Sequence, residues 1–289
     1  MTRERFIAAD WGTTNRRLYL IEKGEVVWTE RDELGVAARP DFEGEIGALR
    51  ARFGAMPILL AGMVGSSIGW REAPYVPAPA DLKSLAAQCL KVAEGVHIVP
   101  GVALVTAGRA DVMRGEEVQI LGAAAAGLVP ADALLIQPGT HSKWAEVRGG
   151  VLTRFTTAMT GELFGLLRQH SILASALTHP VDANDVFDRG VREGLRRDLS
   201  ASLFGIRAAI LTGALDQDDA SSFASGLLIG AEVAARLGDY EEGAAYILAD
   251  AQFGSLYAAA LAIAGRETHI IDSHAAFLSG IIRIGSLLP

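Results

Sequence analysis

Phe6-Ile7-Ala8-Ala9-Asp10-Trp11-Gly12-Thr13-Thr14-Asn15-Arg16-Arg17-Leu18-Tyr19-Leu20-Ile21 decides how the rest of the chain is read. Phe6–Ala9 is a short apolar run, the pattern of a buried strand. Asp10–Asn15 is a polar turn carrying a glycine, and Arg17–Ile21 is a second strand with aromatic and β-branched content. Glu22-Lys23-Gly24-Glu25 supplies a hairpin turn with glycine where a positive φ is needed, and Val26–Thr29 gives a third strand. The layout returns 127 positions further on, Gly12-Thr13 falling on Gly139-Thr140. There Leu134–Ile136 is the buried strand and Gln137-Pro138-Gly139-Thr140-His141-Ser142 the turn. Lys143–Val147 and Val151–Phe155 flank a second hairpin at Arg148-Gly149-Gly150.

Two three-strand meanders with a shared Gly-Thr first turn predict two similar α/β domains, roughly 1–128 and 129–289, facing each other across a cleft. The chemistry suits that arrangement. A Gly-Thr turn presents backbone N–H groups and a hydroxyl to an anion, with no Cβ on the glycine to block approach. Two such turns can hold a triphosphate. The competing reading is two unrelated hairpins that both use common turn residues.

Composition narrows the classes. The 289 residues are 50% hydrophobic and 21% charged, which supplies a large core and excludes disorder. A formal charge of −8 argues against a nucleic-acid-binding face. The single cysteine, Cys89, excludes an internal disulfide and a multi-cysteine metal site, and reads as core filler in a helix with Leu85, Ala86 and Leu90. The start, with Arg3, Glu4, Arg5 and Asp10, does not read as a signal peptide. Val118–Ile136 is interrupted by Gln119, Pro130 and Asp132 and does not read as a membrane span. A soluble cytoplasmic protein is expected.

Between the meanders, Pro57–Leu60 is a strand leading into a long loop, Ala61 to Pro77, of the kind that is usually functional. Asp81 caps a predicted helix that runs to about Glu94 and stops at Gly95. Val96–Val99 is a strand, and Asp111-Val112-Met113-Arg114-Gly115-Glu116-Glu117 leads into a helix ending near Leu128. Glu116 and Glu117 lie in its first turn, where the helix dipole favours carboxylates. Capping and catalysis both remain open for them. The second half predicts helices over Leu163–Leu177, Asp185–Asp198, Ala201–Leu215, Ala220–Leu237, Phe253–Ala264 and His274–Leu288, with a strand at Ala245–Ala249. Gly226 and Gly230, four apart in one helix, allow close approach of a flat ligand or of another helix.

Gly65-Ser66-Ser67-Ile68-Gly69 fits the nucleophile-elbow pattern of serine hydrolases. The elbow must enter a helix at once, and Gly69, Pro74, Pro77 and Pro79 prevent one. No Gly-x-x-x-x-Gly-Lys-Ser/Thr run is present, which argues against a P-loop kinase.

The motif set resembles a known family. Asp10–Thr14 is similar to the first phosphate motif of the superfamily of sugar kinases, actin and the heat-shock ATPases. More narrowly, the chain resembles the 2-dehydro-3-deoxygalactonokinase family. The resemblance runs in order through Asp10–Arg17, Ala61–Pro77, Asp111–Glu117, Pro138–Trp144, Ala158–Glu162 and Ser225–Gly230. The Met-Arg-Gly-Glu-Glu, Pro-Gly-Thr-His-Ser-Lys and Gly-Trp-Arg-Glu-Ala-Pro-Tyr runs are its most specific parts.

The resemblance implies two ribonuclease H-like α/β lobes with a nucleotide cleft. It also implies ATP-dependent phosphorylation of 2-dehydro-3-deoxy-D-galactonate at its 6-hydroxyl, in galactonate catabolism. Asp10 is then the candidate for Mg²⁺. Gly12, Thr13, Thr14, Gly139, Thr140, His141 and Lys143 become phosphate contacts, and Gly226, Gly230 and Gly254 contacts on the nucleotide side. The base is one of Glu116, Glu117 and Asp111, with Glu116 favoured. The sugar-acid side takes Arg16, Arg17, Gly62, Met63, Trp70, Arg71, Tyr75, Arg114, Thr160 and Glu162. Each arginine has an ordinary ion pair as its rival role, and Trp70 and Tyr75 have loop packing.

Two positions depart from the superfamily pattern. Gln137 stands where many members carry Asp, and Ile247–Gly254 keeps only Gly254 of a glycine-rich adenosine motif. A kinase for the gluconate epimer or another sugar acid, and a non-catalytic binding protein of the same fold, are the alternatives. Oligomeric state stays open, a homodimer included; no nucleic acid or membrane partner is expected.

Overall fold

The structure, a computed structural model, describes residues 5–288. By its internal contacts the chain divides into two compact units. The first comprises residues up to Asp132, Val147–Phe155 and those from Ser273 onward; the second comprises Ala133–Glu146 and Thr156–Asp272.

In the first unit, β1 (Arg5–Trp11), β2 (Arg16–Glu22) and β3 (Glu25–Asp32) form the antiparallel meander expected from the opening stretch. Helix α1 (Phe42–Phe53) follows, capped by the Asp41 carboxylate, which accepts from the Gly44 N–H at 3.1 Å. The parallel strand β4 (Ile58–Ala61) then pairs with β1, placing Ala61 beside Asp10. Both strands are apolar along almost their whole length because each has neighbours on both edges and is covered on both faces. Trp11, Ile7, Ile58 and Leu60 lie in the core between sheet and helix.

The long loop is ordered. It contains β5 (Tyr75–Pro77), and Asp81 and Ser84 close a reciprocal capping box on α2. That helix spans only Leu82–Ala87, not the stretch to Glu94. Leu90–Ala93 is instead strand β6, which pairs antiparallel with β7 (Val96–Ile98) through a turn at Gly95, whose φ is +65°. Pairing beside β7, itself parallel to β4, outweighs the helical propensity of the segment. Cys89 accordingly lies between helix and strand, half-buried, with its thiol on the Leu85 carbonyl.

A hairpin absent from the expectations follows: β8 (Gly101–Thr106) and β9 (Arg109–Met113), which join β5 in a small sheet. Asp111 is therefore a strand residue. Helix α3 (Glu116–Ala125) closes this part of the chain.

The second sheet repeats the first sheet's plan, although Val147–Phe155 of its meander falls in the first unit. β10 (Ala133–Gln137), β11 (Ser142–Arg148) and β12 (Val151–Ala158) form the meander. After α4 (Thr160–His170), α5 (Asp185–Gly194), α6 (Leu199–Leu211) and α7 (Ala220–Arg236), strand β13 (Ala245–Ala249) adds parallel to β10. Helix α8 (Ala251–Ile263) leads to β14 (Thr268–Asp272), parallel to β13. The orders β3-β2-β1-β4-β7 and β12-β11-β10-β13-β14 are the same path through a sheet, the first sheet adding β6 at its edge. Helix α4 begins earlier and ends earlier than the apolar spacing suggested, and α5 stops at Gly194, where its glycine packs on α7.

The chain ends in α9 (Ser273–Leu287), which lies on α3. Gly122 and Gly280 set that contact: a Cβ on either would stand 2.1 Å from a carbonyl oxygen of the other helix. Among the described residues no helix is long and apolar enough to cross a membrane.

Candidate active site

In an open α/β sheet, ligands bind beyond the carboxyl ends of the parallel strands, where backbone groups and helix N-termini converge. In the first unit that place is the end of β1 and β4. Asp10 is the penultimate residue of β1 and Gly62 follows β4 directly. A Cβ on Gly62 would lie 2.9 Å from the Trp11 carbonyl, and one on Gly115 would lie 3.1 Å from the Gly62 Cα. Both glycines also have φ near +100°, at +93° and +107°. Only glycine allows these three backbones to meet, so the start of α3 is brought against the end of β1.

The Gly12–Asn15 turn is closed by the Gly12 N–H donating to Asn15 O at 3.0 Å, and Thr13 and Thr14 are exposed at its tip. Its outward carbonyls are taken from the side by the turn at Val36–Ala38. Gly35, Val36 and Ala37 donate their N–H groups to Thr14, Gly12 and Thr13 at 3.1, 3.0 and 2.9 Å. Gly35 makes this possible, since a Cβ there would be 2.3 Å from Thr13 O.

Burial pushes the Asp10 carboxyl up to about 6; Arg17, its cross-strand partner, pulls it down and Glu116 pushes it further up. Asp10 and Glu116 thus form an electrostatically coupled acidic pair. Glu116 is partly exposed and its Oε2 accepts from the Arg114 N–H at 3.1 Å. Glu117 is fully buried, and both its oxygens accept from the Gly115 N–H at 2.8 and 2.7 Å. Burial, then the charge of Glu116, pushes the Glu117 carboxyl up to about 8 against those backbone donors. Geometry ranks before pKa in choosing a base: Glu117 has no surface for a substrate, and Glu116 has. Asp111 lies on β9, where it accepts from the Val112 N–H and pairs with Arg109 at 3.3 Å.

The arginines separate. Arg16 is buried in an ion pair with Asp32 at 2.6 Å and Glu45 at 2.7 Å, with its guanidinium over the Trp11 ring, so its role is structural and not substrate contact. Trp70 is likewise a core residue, stacked on Phe42 at 6.1 Å, and does not wall a pocket. Arg71 is exposed and donates to the Trp70 carbonyl, and Met63 is half-buried in the short 3₁₀ turn after Gly62. Arg114 is buried at 8% exposure, holds the Ala73 carbonyl at 2.8 Å and lies over the Tyr75 ring at 4.2 Å. Among the described residues its Nε and Nη1 have no hydrogen-bond acceptor. Tyr75 itself is exposed on its other side.

In the second unit, Gly139, Thr140 and His141 are exposed at the tip of the turn. The N-terminus of α4 docks directly on it: the Glu162 N–H donates to Thr140 O at 2.9 Å, and a Cβ on Gly161 would stand 2.4 Å from Gly139 O. His141 Nε2 meets Glu162 Oε2 at 2.5 Å. Lys143 is buried, and its ammonium donates to the His141 carbonyl at 2.9 Å, bracing the turn from beneath. Thr160 is buried with its hydroxyl on the Glu232 carboxylate. Glu232 has no assigned role in the sequence reading, although a carboxylate inside the apolar run Leu227–Val233 was the available signal.

Three glycines expected beside the nucleotide serve packing instead. A Cβ on Gly226 or Gly230 would lie 2.2 or 2.3 Å from the Phe187 or Val191 carbonyl, so both face α5, whose own Gly190 and Gly194 answer them. Both roles need a missing Cβ, which is why the spacing alone left them undecided. Gly254 is packed on the Ile270 side chain, 3.0 Å from where its Cβ would be. The segment before it is the Asp250 cap of α8, accepting from the Phe253 N–H.

Among the described residues no group of three His, Cys, Asp or Glu side chains is assembled for a metal ion. The donor set at the end of β1, one carboxylate with a second nearby, fits a cation that keeps most of its water and takes its other ligands from phosphate.

A profile of the 2-keto-3-deoxy-galactonokinase family matches residues 10–284. The 2-dehydro-3-deoxygalactonokinase of Escherichia coli (strain K12) is 35% identical over 285 residues, covering 96% of each chain. A crystal structure of a Sinorhizobium meliloti protein assigned as a 2-dehydro-3-deoxygalactonokinase superposes with a TM-score of 0.88 at 32% identity, again over 96% of each chain. The activator of 2-hydroxyisocaproyl-CoA dehydratase from Clostridium difficile, solved with bound ADPNP, shares the fold at a TM-score of 0.50 and 11% identity, over 98% of this chain and 93% of its own.

Proposed function

The chain belongs to the 2-keto-3-deoxy-galactonokinase family, and from that premise we propose that it transfers the γ-phosphoryl group of ATP to the 6-hydroxyl of 2-dehydro-3-deoxy-D-galactonate. The observation that carries the reading is the placement of Asp10 and Glu116 at the meeting of β1, β4 and α3, coupled closely enough for one to raise the pKa of the other. Phosphoryl transfer requires positioning, charge neutralisation at the phosphates and a base on the attacking hydroxyl. That pair divides the last two tasks.

Each unit is read as a ribonuclease H-like lobe, and each Gly-Thr turn is read as a phosphate contact. Asp10 is the residue that would hold Mg²⁺, which when bound neutralises charge on the phosphate oxygens. Thr13, Thr14 and Thr140 offer hydroxyls and Gly139 offers a backbone N–H to the phosphates, while the Gly12 N–H closes its own turn on Asn15. Glu116 takes the proton of the 6-hydroxyl as the hydroxyl oxygen bonds to the γ-phosphorus and the bond to the β-phosphate oxygen breaks. Glu117 stays buried and fixes the turn before α3 through Gly115. Arg114 supplies the positive charge for the substrate carboxylate. A buried guanidinium with two N–H edges lacking a protein acceptor is costly unless an anion or water meets it, and Tyr75 covers its face.

An ADP-release assay with Mg-ATP tests the reading against 2-dehydro-3-deoxy-D-galactonate, its gluconate epimer, common hexoses and water. Turnover with the galactonate compound well above its epimer is the expected result. Preference for the epimer keeps the chemistry and changes the substrate; no sugar-dependent turnover overturns the proposal.

A further inference from the structure

We propose that Glu232 is a positioning residue for the second phosphate turn, holding it where the γ- and β-phosphates of ATP are bound. The inference rests on reading residues 139–142 as a phosphate contact. Glu232 lies on α7 and is buried at 7% exposure. Its carboxylate accepts from Ser142 Oγ at 2.7 Å, Trp144 Nε1 at 2.6 Å, Tyr257 Oη at 2.8 Å and Thr160 Oγ1. An ionised carboxylate has about four lone-pair sites, so these donors fill it. All of them are uncharged. Burial together with the Glu232 charge pushes the Tyr257 phenol well above its usual pKa, which keeps it a donor.

A buried carboxylate met, among the described residues, by neutral donors is an expensive way to fill a core, since an apolar side chain of similar volume carries no desolvation penalty. What it supplies is position. Its donors come from both flanks of the turn. Ser142 and Trp144 open β11 on one side, and Thr160 opens α4 on the other. The next two residues of α4 are those that grip the turn: Gly161 lies against the Gly139 carbonyl and Glu162 donates to the Thr140 carbonyl. One carboxylate therefore sets the distance between the strand that leaves the turn and the helix that clamps it. Gln at this position keeps the shape, but its amide nitrogen faces hydroxyl and indole donors and leaves some of them unpaired.

The test varies ATP and the sugar acid separately in steady-state kinetics of Glu232→Gln, Thr160→Val and Thr140→Ala, with a thermal melt of each. The expected result is an ATP KM raised roughly tenfold in Glu232→Gln and about threefold in Thr160→Val, with the sugar-acid KM within about twofold of the parent. Should Thr140→Ala raise the ATP KM while Glu232→Gln and Thr160→Val only lower the melting temperature, Glu232 is structural and the inference is overturned, the phosphate reading surviving. Should Thr140→Ala leave the ATP KM unchanged, the phosphate reading fails and the inference with it. If Glu232→Gln does not fold, Thr160→Val and Ser142→Ala decide by the same criterion.

Discussion

The two Gly-Thr turns close equivalent strands of equivalently ordered sheets, yet they are held by different means. The first is braced mainly by backbone: three consecutive N–H groups from Gly35–Ala37 take its carbonyls, a glycine without Cβ lets them approach, and the Trp11 indole donates to the neighbouring Leu34 carbonyl at 2.7 Å. The second is braced by side chains, with Glu232 tying β11 to α4 and Lys143 reaching up to the His141 carbonyl. The acidic residue differs too. Asp10 is the penultimate residue of β1, and the equivalent position of β10 is Gln137, which carries no charge. On the proposed reading, the repeated frame is divided between a turn that follows a carboxylate able to hold a metal ion and a turn that follows an amide and grips phosphate.

The sharpest way to break that division is to make the first turn like the second. Asp10→Asn is predicted to lower kcat by about 10³-fold, or ~4 kcal/mol of barrier, with the melting temperature unchanged or raised, since a buried carboxyl is replaced by a neutral isostere. Steady-state kinetics beside a thermal melt decides it; near-parental kcat would remove Asp10 from the chemistry.

The first unit's acidic cluster also predicts a pH signature. The Glu117 carboxyl is pushed up to about 8 from 4.5, and that of Asp10 to about 6 from 3.8. Between its unfolded and folded pKa such a group binds more protons folded than unfolded. Stability is then greatest below about pH 4 to 4.5 as far as these two groups are concerned, and it is lost as pH rises towards 8. At roughly 1.4 kcal/mol per unit, Glu117 alone accounts for a few kcal/mol. Melting temperatures between pH 5 and 8 should fall in the parent protein and fall distinctly less in Glu117→Gln. Equal slopes would show that Glu117 is ionised when folded.

Much of this organisation was legible in the residues. Alternation and glycine-bearing turns place both meanders within three residues at every strand end, because hairpin registers are local. The parallel strands β4 and β13 also stand out as short apolar runs. Tertiary pairing hid the rest. Leu90–Ala93 follows a well-capped helix and becomes a strand only because β7 is there to pair with it. The β8–β9 hairpin is the exception, with a local signal left unassigned: the apolar run Val102–Val105 before a glycine-bearing turn at Ala107-Gly108. Asp10 and Glu116 could be named as candidates because a strand end and a helix start both admit a carboxylate, although helix capping competed for Glu116. Arg16 was not separable from Arg114, since only long-range partners, Asp32 and Glu45, consume the first. Gly226 and Gly230 were ambiguous for a related reason, although Gly190 and Gly194 at the same spacing in α5 were a readable counterpart.

The smallest effects bear most directly on the comparison itself. Gly35→Ala breaks the backbone brace of the first turn, because its Cβ would stand 2.3 Å from Thr13 O; Glu232→Gln breaks the carboxylate brace of the second. Titration calorimetry of the parent and of each folded variant, with a non-hydrolysable ATP analogue and Mg²⁺, tests whether nucleotide binding depends on each brace. The account predicts binding weakened by about tenfold (~1.4 kcal/mol) in each variant. A folded variant of either kind that binds the analogue as the parent does would contradict it.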